Sequence, residues 1–218
     1  MSSKLVSRQD TRMALIQAGT EVMLGKGYTN TGIQEVLSSL GVPKGSFYHY
    51  FDSKESFAIA IVQHLDHDQT ADMLRVLRNT EQTPLQRLKT YCELHKQAML
   101  SQECRKGCLL GLLSQEMADQ NETLRRELSS IWDKRLDILA ACIEEGQAAG
   151  EIRTDCAPRK LASVFNCGWN GAVMHSKAAK NPEALDAFIE LMFDHFFIAG
   201  NSASCKHKVS DATLGSTT

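Results

Sequence analysis

The sequence predicts an all-α protein with a small N-terminal three-helix domain and a larger C-terminal helical domain, about nine helices in all. Apolar residues recur at helical spacing along most of the 218-residue chain, and only four prolines interrupt it. A chain of this length can bury a core in each of two domains. We place the first domain at residues 1–53 and the second at 54–200. Residues 201–218 lack apolar periodicity, which predicts a disordered tail.

Composition and charge exclude several classes of protein. No apolar stretch reaches the roughly 18 residues that a membrane-spanning helix needs, and the N-terminal MSSKLVSRQDTR lacks the apolar core of a signal peptide. We therefore expect a cytoplasmic protein with no membrane partner. Seven cysteines without a C-x-x-C pair indicate reduced thiols rather than a disulfide framework. The net charge of −2 indicates no bulk affinity for nucleic acid, so any such function depends on where basic side chains lie.

The first predicted helix begins near Arg8 and Arg12 and continues toward Gly25 and Gly27, after a loose arm at residues 1–7. Because the two arginines are one helical turn apart, they lie on one face of the helix. That face either contacts phosphate groups or is simply solvated, and the sequence leaves both possibilities open.

A second, short helix is predicted to begin at Gly32. Thr31 is its expected N-cap, because a threonine hydroxyl can accept a bond from a free backbone N–H. The helix ends at Gly41, since glycine readily adopts the left-handed conformation that closes a helix. Its apolar face is formed by Ile33, Val36, Leu37 and Leu40.

A third short helix follows directly, over roughly residues 43–50. Pro43 suits its first turn, where the missing N–H is not needed. Phe47 and Phe51, spaced i and i+4, are expected to pack inward. The residues left toward solvent are aromatic, basic or small, and they suit a surface that meets phosphates and base edges. They are Lys44, Gly45, Ser46, Tyr48 and His49.

The next helix starts at Ser53, a favourable N-cap, and carries Lys54 in its first turn. A lysine at the positive end of a helix dipole is electrostatically unfavourable, so an anion such as a DNA phosphate is its expected partner. This helix runs to about Arg78. A loop at residues 79–83 follows it, and Pro84 begins another helix.

The run GVPKGSFYHYFDSKESF, with GIQEVLSSL before it, resembles the helix-turn-helix signature of the TetR family of transcriptional regulators. The resemblance implies that residues 1–53 form a DNA-binding domain and that double-stranded operator DNA is a partner. It also implies that the helix from Ser53 links this domain to a regulatory domain, and that Thr29 lies where the family often touches the DNA backbone. The candidate DNA-contacting residues are Arg8, Arg12, Thr29, Thr31, Lys44, Gly45, Ser46, Tyr48, His49 and Lys54.

The histidines do not form a recognisable metal site. His64, His67 and His95 occur on two predicted helices, but nothing fixes further ligands beside them. We therefore expect neither a metal nor another cofactor.

Residues 104–119, CRKGCLLGLLSQEMAD, contain a cysteine at a predicted helix start. Gly107 breaks one helix, and Cys108 opens the following one. The positive end of the helix dipole, with Arg105 and Lys106 nearby in sequence, favours the thiolate form that reacts with electrophiles. Cysteine is also a common small buried residue, so a purely structural role stays open.

RKGCLLGLLSQEM and the later GWNGAVMHSK are similar to the regulatory domains of the AcuR-like and NemR-like branch of the TetR family, which responds to acrylate or electrophiles. The resemblance implies that Cys108 lies in the effector region and that Lys177 falls where NemR also has a lysine. Unsaturated carbonyls, quinones and hypochlorite-type oxidants are therefore candidate signals. Tyr91 and Trp169 are expected to complete an effector site formed by helices between about residues 84 and 179.

A long amphipathic helix at residues 121–149 precedes the last two predicted helices, at 158–179 and after the break at Asn181 and Pro182. The last two are rich in large apolar residues and can pair with their copies in a four-helix interface. The alternative is that they cover the chain's own core. We expect a homodimer, because a two-fold dimer reads two half-sites at once. The candidate interface residues are Phe165, Trp169, Phe188, Met192 and Phe196.

The residues and the resemblance together predict a dimeric DNA-binding repressor that leaves its operator when a small electrophile is sensed near Cys108. A non-covalent ligand held by apolar groups is the first alternative. A thiol-dependent enzyme is a weaker one, because no histidine lies near Cys108 in sequence. A protein that organises DNA without regard to sequence is a further alternative.

Overall fold

The computed structural model describes residues 8–198, so the predicted arm at 1–7 and the predicted tail at 201–218 lie outside the described part of the chain. Within residues 8–198 all regular structure is helical, which confirms the predicted all-α class. No helix in this part is both long and apolar enough to cross a membrane. The elements are α1 (Arg8–Lys26), α2 (Ile33–Ser39), a 3₁₀ helix (Lys44–His49), α3 (Lys54–Leu77), α4 (Pro84–Leu100), α5 (Leu109–Met117), α6 (Glu122–Ala148), α7 (Pro158–Ala179), α8 (Glu183–Leu191) and a π-helical turn (Met192–Phe196).

The start of α2 differs from the prediction. Gly32, not Thr31, is the N-cap, and the helix begins at Ile33. Thr31 is 3% exposed, and its hydroxyl donates to the carbonyl of Gly27 at 2.6 Å. The sequence argument failed because a threonine hydroxyl can bond to the preceding turn as readily as to the following one. The Thr31 hydroxyl is therefore turned into the protein, and a contact of Thr31 with DNA stays a prediction.

The turn after α2 has the predicted geometry. Gly41 has a φ of +64°, and the N–H of Val42 donates to the carbonyl of Leu37 at 3.0 Å, which closes the helix. The next helix is a 3₁₀ helix that begins at Lys44, with Pro43 as its N-cap. α1, α2 and this 3₁₀ helix are named the helix-turn-helix module below.

The phenylalanine rings in the 3₁₀ helix and just after it face inward, as predicted. Phe47 and Phe51 are buried, and their ring centroids lie 5.4 Å and 4.7 Å from that of Phe57 in α3. This aromatic packing fixes the 3₁₀ helix against α3, so its other side is left toward solvent.

Two capping boxes fix the starts of the long helices. Ser53 accepts the N–H of Ser56 at 3.0 Å, and the hydroxyl of Ser56 accepts the N–H of Ser53 at 3.0 Å. Thr83 and Gln86 form the same arrangement at α4, which begins at Pro84 as predicted. α3 contains 24 residues and is therefore about 36 Å long.

The hydrophobic interior forms two clusters. The first unites the helix-turn-helix module with the start of α3, α5 and the first half of α6. The second unites the end of α3 with α4, the second half of α6, α7 and α8. Apolar packing therefore crosses the predicted domain boundary at residues 53 and 54, because α5 packs on α1 and joins the same cluster as α3 and α6.

Candidate functional site

The exposed side of the 3₁₀ helix carries the residues that the sequence assigns to DNA contact. Tyr48 is 65% exposed, Lys44, Gly45 and His49 are also exposed, and Ser46 is half-buried. A Cβ atom added at Gly45 would meet no atom within 4 Å, so the backbone there is open to close approach. The structure brings these five residues onto one short element, and their contact with DNA stays a prediction.

Two arginines of α1 lie beside the C-terminal end of the 3₁₀ helix. The guanidinium group of Arg8 donates to the carbonyl of His49 at 2.5 Å and lies 6.0 Å from the ring centre of Tyr50. The guanidinium group of Arg12 lies 5.0 Å from the ring centre of Phe51. Both arginine side chains are exposed, so they add positive charge at the edge of the same surface.

Lys54 is held by the turn between α1 and α2. Its ammonium group donates to the carbonyl of Thr29 at 3.1 Å and lies 4.6 Å from the ring centre of Tyr28. Burial lowers the pKa of Lys54, and the charge of Glu116 opposes this change. Two predicted DNA-contacting residues, Lys54 and the exposed Thr29, are thus joined in one contact.

Sequence reasoning missed Glu116, a residue of α5 that binds the same turn. Its two carboxylate oxygens accept the N–H groups of Tyr28 and Thr29, each at 2.7 Å. Gly27 makes room for them, since its φ is +78° and a Cβ atom there would lie 2.4 Å from Oε2 of Glu116. Burial raises the pKa of Glu116, but the hydrogen bonds and the charge of Lys54 outweigh burial and hold this pKa below its ordinary value. The paired hydrogen bonds are named the Glu116 latch.

A cavity of about 350 Å³ lies between the helix-turn-helix module and the C-terminal helices. Three of the four predicted effector residues, Tyr91, Cys108 and Trp169, line it. Thr20 and Glu21 of α1 form part of the same wall, so a bound molecule would touch the module directly. The wall also includes Leu24, Gln69, His95, Trp132 and Arg135.

Cys108 is the N-cap of α5 and is half-buried in the cavity wall. Its sulfur accepts the N–H of Gly111 at 3.4 Å. Arg105 and Lys106, which the sequence placed beside it, are each paired with an acid, at 2.7 Å and 2.5 Å. Their charge at the sulfur is therefore partly neutralised, which the sequence did not reveal.

Lys177, the fourth predicted effector residue, packs over Gly107. A Cβ atom at Gly107 would lie 3.1 Å from Cδ of Lys177, so the glycine leaves room for this side chain. The ammonium group of Lys177 lies 3.5 Å from the carbonyl oxygen of Leu24 in α1. Lys177 therefore joins the segment before Cys108 to the helix-turn-helix module.

A row of aromatic rings begins in the cavity wall with Tyr91, His95 and Trp169 and continues to Phe188 outside the cavity. Ring centroids are 4.3 Å apart between Tyr91 and His95, 6.4 Å between His95 and Trp169, and 5.6 Å between Trp169 and Phe188. Burial lowers the pKa of His95, and burial raises the pKa of Tyr91 to about 12. Both side chains are therefore uncharged at neutral pH. Among residues 8–198 no three His, Cys, Asp or Glu side chains are grouped so that they could hold a metal.

The predicted dimer residues divide between the core and the surface. Phe165, Trp169 and Met192 are buried within the single chain, whereas Phe188 and Phe196 are half-buried. Their place in a dimer interface stays a prediction. The apolar stripe of α7 is broad, and its spacing alone could not tell which edge faces inward. An open groove of about 410 Å³ follows the outer edge of α7 and α8. Its lining includes Gly168, Gly171, Phe188, Leu191, Met192 and Phe196.

Two models of known families match the chain. The model described as "Bacterial regulatory proteins, tetR family" matches residues 15–61. The model described as "Tetracyclin repressor-like, C-terminal domain" matches residues 84–192. The two matches cover the helix-turn-helix module and the helices around the cavity, respectively.

Individual proteins are similar over most of their length. The chain is 33% identical over 189 residues to the HTH-type transcriptional repressor DhaR of Mycobacterium sp. strain GP1, which covers 87% of this chain and 93% of DhaR. It is 34% identical over 186 residues to the transcriptional regulator AcuR of Cereibacter sphaeroides, with 84% of each chain covered. The crystal structure of the reduced form of NemR from E. coli superposes with a TM-score of 0.77 at 29% identity, covering 89% of this chain and 100% of that one.

Proposed function

The chain belongs to the TetR family of bacterial transcriptional regulators, and from this premise we propose that a small electrophile sensed at Cys108 releases it from operator DNA. The protein is a DNA-binding repressor rather than an enzyme. We propose further that it acts in the cytoplasm as a homodimer. Residues 1–53 would bind DNA, and residues 54–200 would bind the effector and the second copy. The resemblance to the acrylate- and electrophile-responsive branch supports this assignment.

One observation carries the proposal: Cys108 lies in the cavity wall and begins the helix that ends at the Glu116 latch. Eight residues of helical rise separate the two positions by about 12 Å. An adduct on Cys108 would enlarge its side chain and displace the sulfur from the N–H of Gly111. Because α5 is a short rigid element, a change at its first turn moves its last turn as well.

The latch connects α5 to residues that we assign to the DNA surface. Glu116 holds the backbone of Thr29, and the carbonyl of Thr29 holds Lys54. A displaced α5 would therefore shift both residues relative to the 3₁₀ helix. The two sites are distinct, and α5 would take a different position in the modified and unmodified states, which would couple them.

The chemistry of a thiol suits the proposed signals. A thiolate adds to the β-carbon of an unsaturated carbonyl, and the neighbouring α-carbon takes a proton from water. Quinones accept a thiolate in the same way, whereas a hypochlorite-type oxidant would oxidise the sulfur itself. All three classes would change the size or polarity of Cys108 inside the cavity.

The groove on α7 and α8 is the proposed dimer interface. It exposes Leu191 and the small residue Gly171, beside which there is open space for another helix, whereas Gly168 makes room for Phe188 of the same chain. Trp169 lies between this groove and the effector cavity, since it lines the cavity and packs on Phe188. A two-fold dimer would present two 3₁₀ helices to successive half-sites of the operator.

The variant Cys108→Ser tests covalent sensing. We expect it to bind the DNA upstream of its own gene like the parent but to stay bound at an electrophile concentration that releases the parent. A gel shift measures release, and mass spectrometry of the Cys108 peptide measures the adduct. Cys156→Ser, at a half-buried cysteine that does not line the cavity, is the matched control and should respond like the parent. Equal release of Cys108→Ser and the parent would contradict the proposal.

A non-covalent effector is the alternative that a specific observation favours. The row formed by Tyr91, His95 and Trp169 offers a stacking wall that needs no reaction with sulfur. Release from operator DNA without any gain in mass on Cys108 would support this alternative.

A further inference from the structure

Arg135 is a buried cation in the wall of the effector cavity. Arg135 lies on α6 and is 8% exposed. One guanidinium nitrogen donates to Oε1 of Gln69 at 2.5 Å, and the group lies 5.6 Å from the ring centre of Trp132. No carboxylate among residues 8–198 forms an ion pair with it, and the amide of Gln69 is neutral, so none of its five N–H donors has a charged acceptor in this part of the chain.

A second buried arginine shows how this chain satisfies such a group where no cavity is present. Arg87 is also 8% exposed, and its guanidinium group forms an ion pair with Glu145 at 2.6 Å. It donates in addition to the carbonyls of Leu77 and Gln82, at 3.1 Å and 2.9 Å. A buried charge is unfavourable unless it is paired and hydrogen-bonded, and of these two arginines Arg87 alone meets that condition with partners from the described residues.

The other groups in the wall leave the charge of Arg135 uncompensated. Glu21 lines the cavity, but its carboxylate pairs with Lys106 at 2.5 Å and its side chain is mostly exposed. Tyr91 and His95 are neutral at neutral pH, because burial raises the pKa of the first and lowers that of the second. A cavity with one unpaired cation and aromatic walls is complementary to a molecule that has one anionic group and is otherwise apolar.

We propose that Arg135 binds the carboxylate of the effector, so that the effector class is small organic acids rather than neutral carbonyl compounds. The carboxylate would accept two parallel hydrogen bonds from the guanidinium group, while the apolar frame packs against Tyr91 and Trp169. Among the proposed signals, this selects unsaturated carbonyl compounds that also carry a carboxylate. The inference rests on the cavity of the proposed function but not on any reaction at Cys108.

Benzoate and benzamide form a matched pair of probes, because they have nearly the same shape and differ in charge. Neither reacts with thiols, so their binding does not depend on Cys108 chemistry. We expect the full-length protein to bind benzoate about 10-fold or more tightly than benzamide, since charge-assisted hydrogen bonds are the stronger ones. Titration calorimetry measures both affinities. Equal affinities, or no benzoate binding at millimolar concentration, would overturn the proposal.

Variants at position 135 test whether the Arg135 side chain causes the preference for benzoate over benzamide. Arg135→Gln should abolish the difference between the probes, and Arg135→Lys should restore part of it by keeping the charge. Arg126→Gln, an exposed residue of the same helix, removes the same charge outside the cavity and should leave the preference unchanged. Circular dichroism confirms that each variant is folded. A preference for benzoate that survives in Arg135→Gln would overturn the proposal even if the parent shows it.

Two alkylating agents separate this inference from the proposed function. Iodoacetate and iodoacetamide each form a bond between carbon and sulfur with loss of iodide, and only iodoacetate carries a carboxylate. We expect the ratio of their rates at Cys108, followed by mass spectrometry, to fall about 10-fold in Arg135→Gln. An unchanged ratio would reject carboxylate binding by Arg135, whereas release of DNA by iodoacetamide alone would still support sensing at Cys108.

Discussion

Glu116 satisfies two backbone N–H groups with a single ionised carboxylate. Ionisation matters, because a charged acceptor forms stronger hydrogen bonds than a neutral one. The pKa of Glu116 is lowered in the folded protein, so the ionised group stabilises the fold above the pKa that it has in the unfolded chain. This contribution is lost as pH falls through the lowered pKa. The latch is therefore intact at neutral pH and weakens in acid.

Glu116→Gln should loosen the turn between α1 and α2. A glutamine presents one acceptor oxygen and one NH₂ group, so one of the two N–H groups at Tyr28 and Thr29 would lose its partner. We expect these two amide hydrogens to exchange with solvent about 10-fold faster or more, as hydrogen-exchange NMR would measure. Asp119→Asn, an exposed acid beyond the end of α5, is the charge-matched control. Unchanged exchange in Glu116→Gln would rule out the latch as a stabilising contact.

Most roles that are decided locally were predicted correctly, with the cap at Thr31 as an exception, whereas roles decided by tertiary contact were missed. Ser53 and Gly41 act within a few residues of their own position, so capping and turn rules identified both. Glu116 binds a residue 88 positions away, and Arg135 binds one 66 positions away. A charged residue on a helix is expected at the surface, so no local pattern marks either side chain.

At the scale of elements, the helix-turn-helix depends on one glycine for its turn and presents another at its surface. Gly41 has a positive φ, whereas Gly45 lies in the 3₁₀ helix with open space around it. The first glycine serves folding. The second is assigned to close approach of DNA.

Gly41→Ala and Gly45→Ala should separate these two roles. We expect Gly41→Ala to lower the free energy of unfolding by about 1 kcal/mol, because an L-residue is strained at positive φ. Gly45→Ala should leave it unchanged within about 0.5 kcal/mol. A steric cost of about 1 kcal/mol at the DNA surface would weaken operator binding by Gly45→Ala about fivefold. Urea denaturation and a binding titration measure the two effects, and full affinity in Gly45→Ala would argue against close approach there.

The existence and order of the helices followed from periodicity, but the inward face of α7 did not. Its apolar stripe is wide enough to serve both a core and an interface. Phe165 and Trp169, which the sequence assigned to an interface, are buried within the single chain. The choice depends on where α6 and α8 pack against α7. Those contacts join segments that are distant in sequence, so only the assembled fold determines them.

At the scale of the whole molecule, the groove on α7 and α8 is an apolar surface that a second copy would cover. Leu191 lies on it and is 58% exposed, so its replacement costs little inside one chain. Leu94 on α4 is an exposed leucine that does not line the groove. The pair therefore allows an interface effect to be distinguished from a general effect of losing a surface leucine.

Leu191→Glu should produce a folded monomer. A carboxylate buried in a dimer interface without a partner is strongly unfavourable, so we expect the dimer dissociation constant to rise about 100-fold or more. Sedimentation analysis measures this constant, and operator binding should fall with it. Leu94→Glu should remain as dimeric as the parent. A dimeric Leu191→Glu would place the interface elsewhere on the molecule.

The hydrogen bonds at Glu116 end on main-chain N–H groups, which every residue except proline supplies. The side chains at positions 28 and 29 can therefore change during evolution without breaking the hydrogen bonds between α5 and the turn that follows α1. The DNA sequence that the protein prefers and the effector that it senses could thus change independently. Relatives that bind different operators could keep the same hydrogen bonds at the position of Glu116.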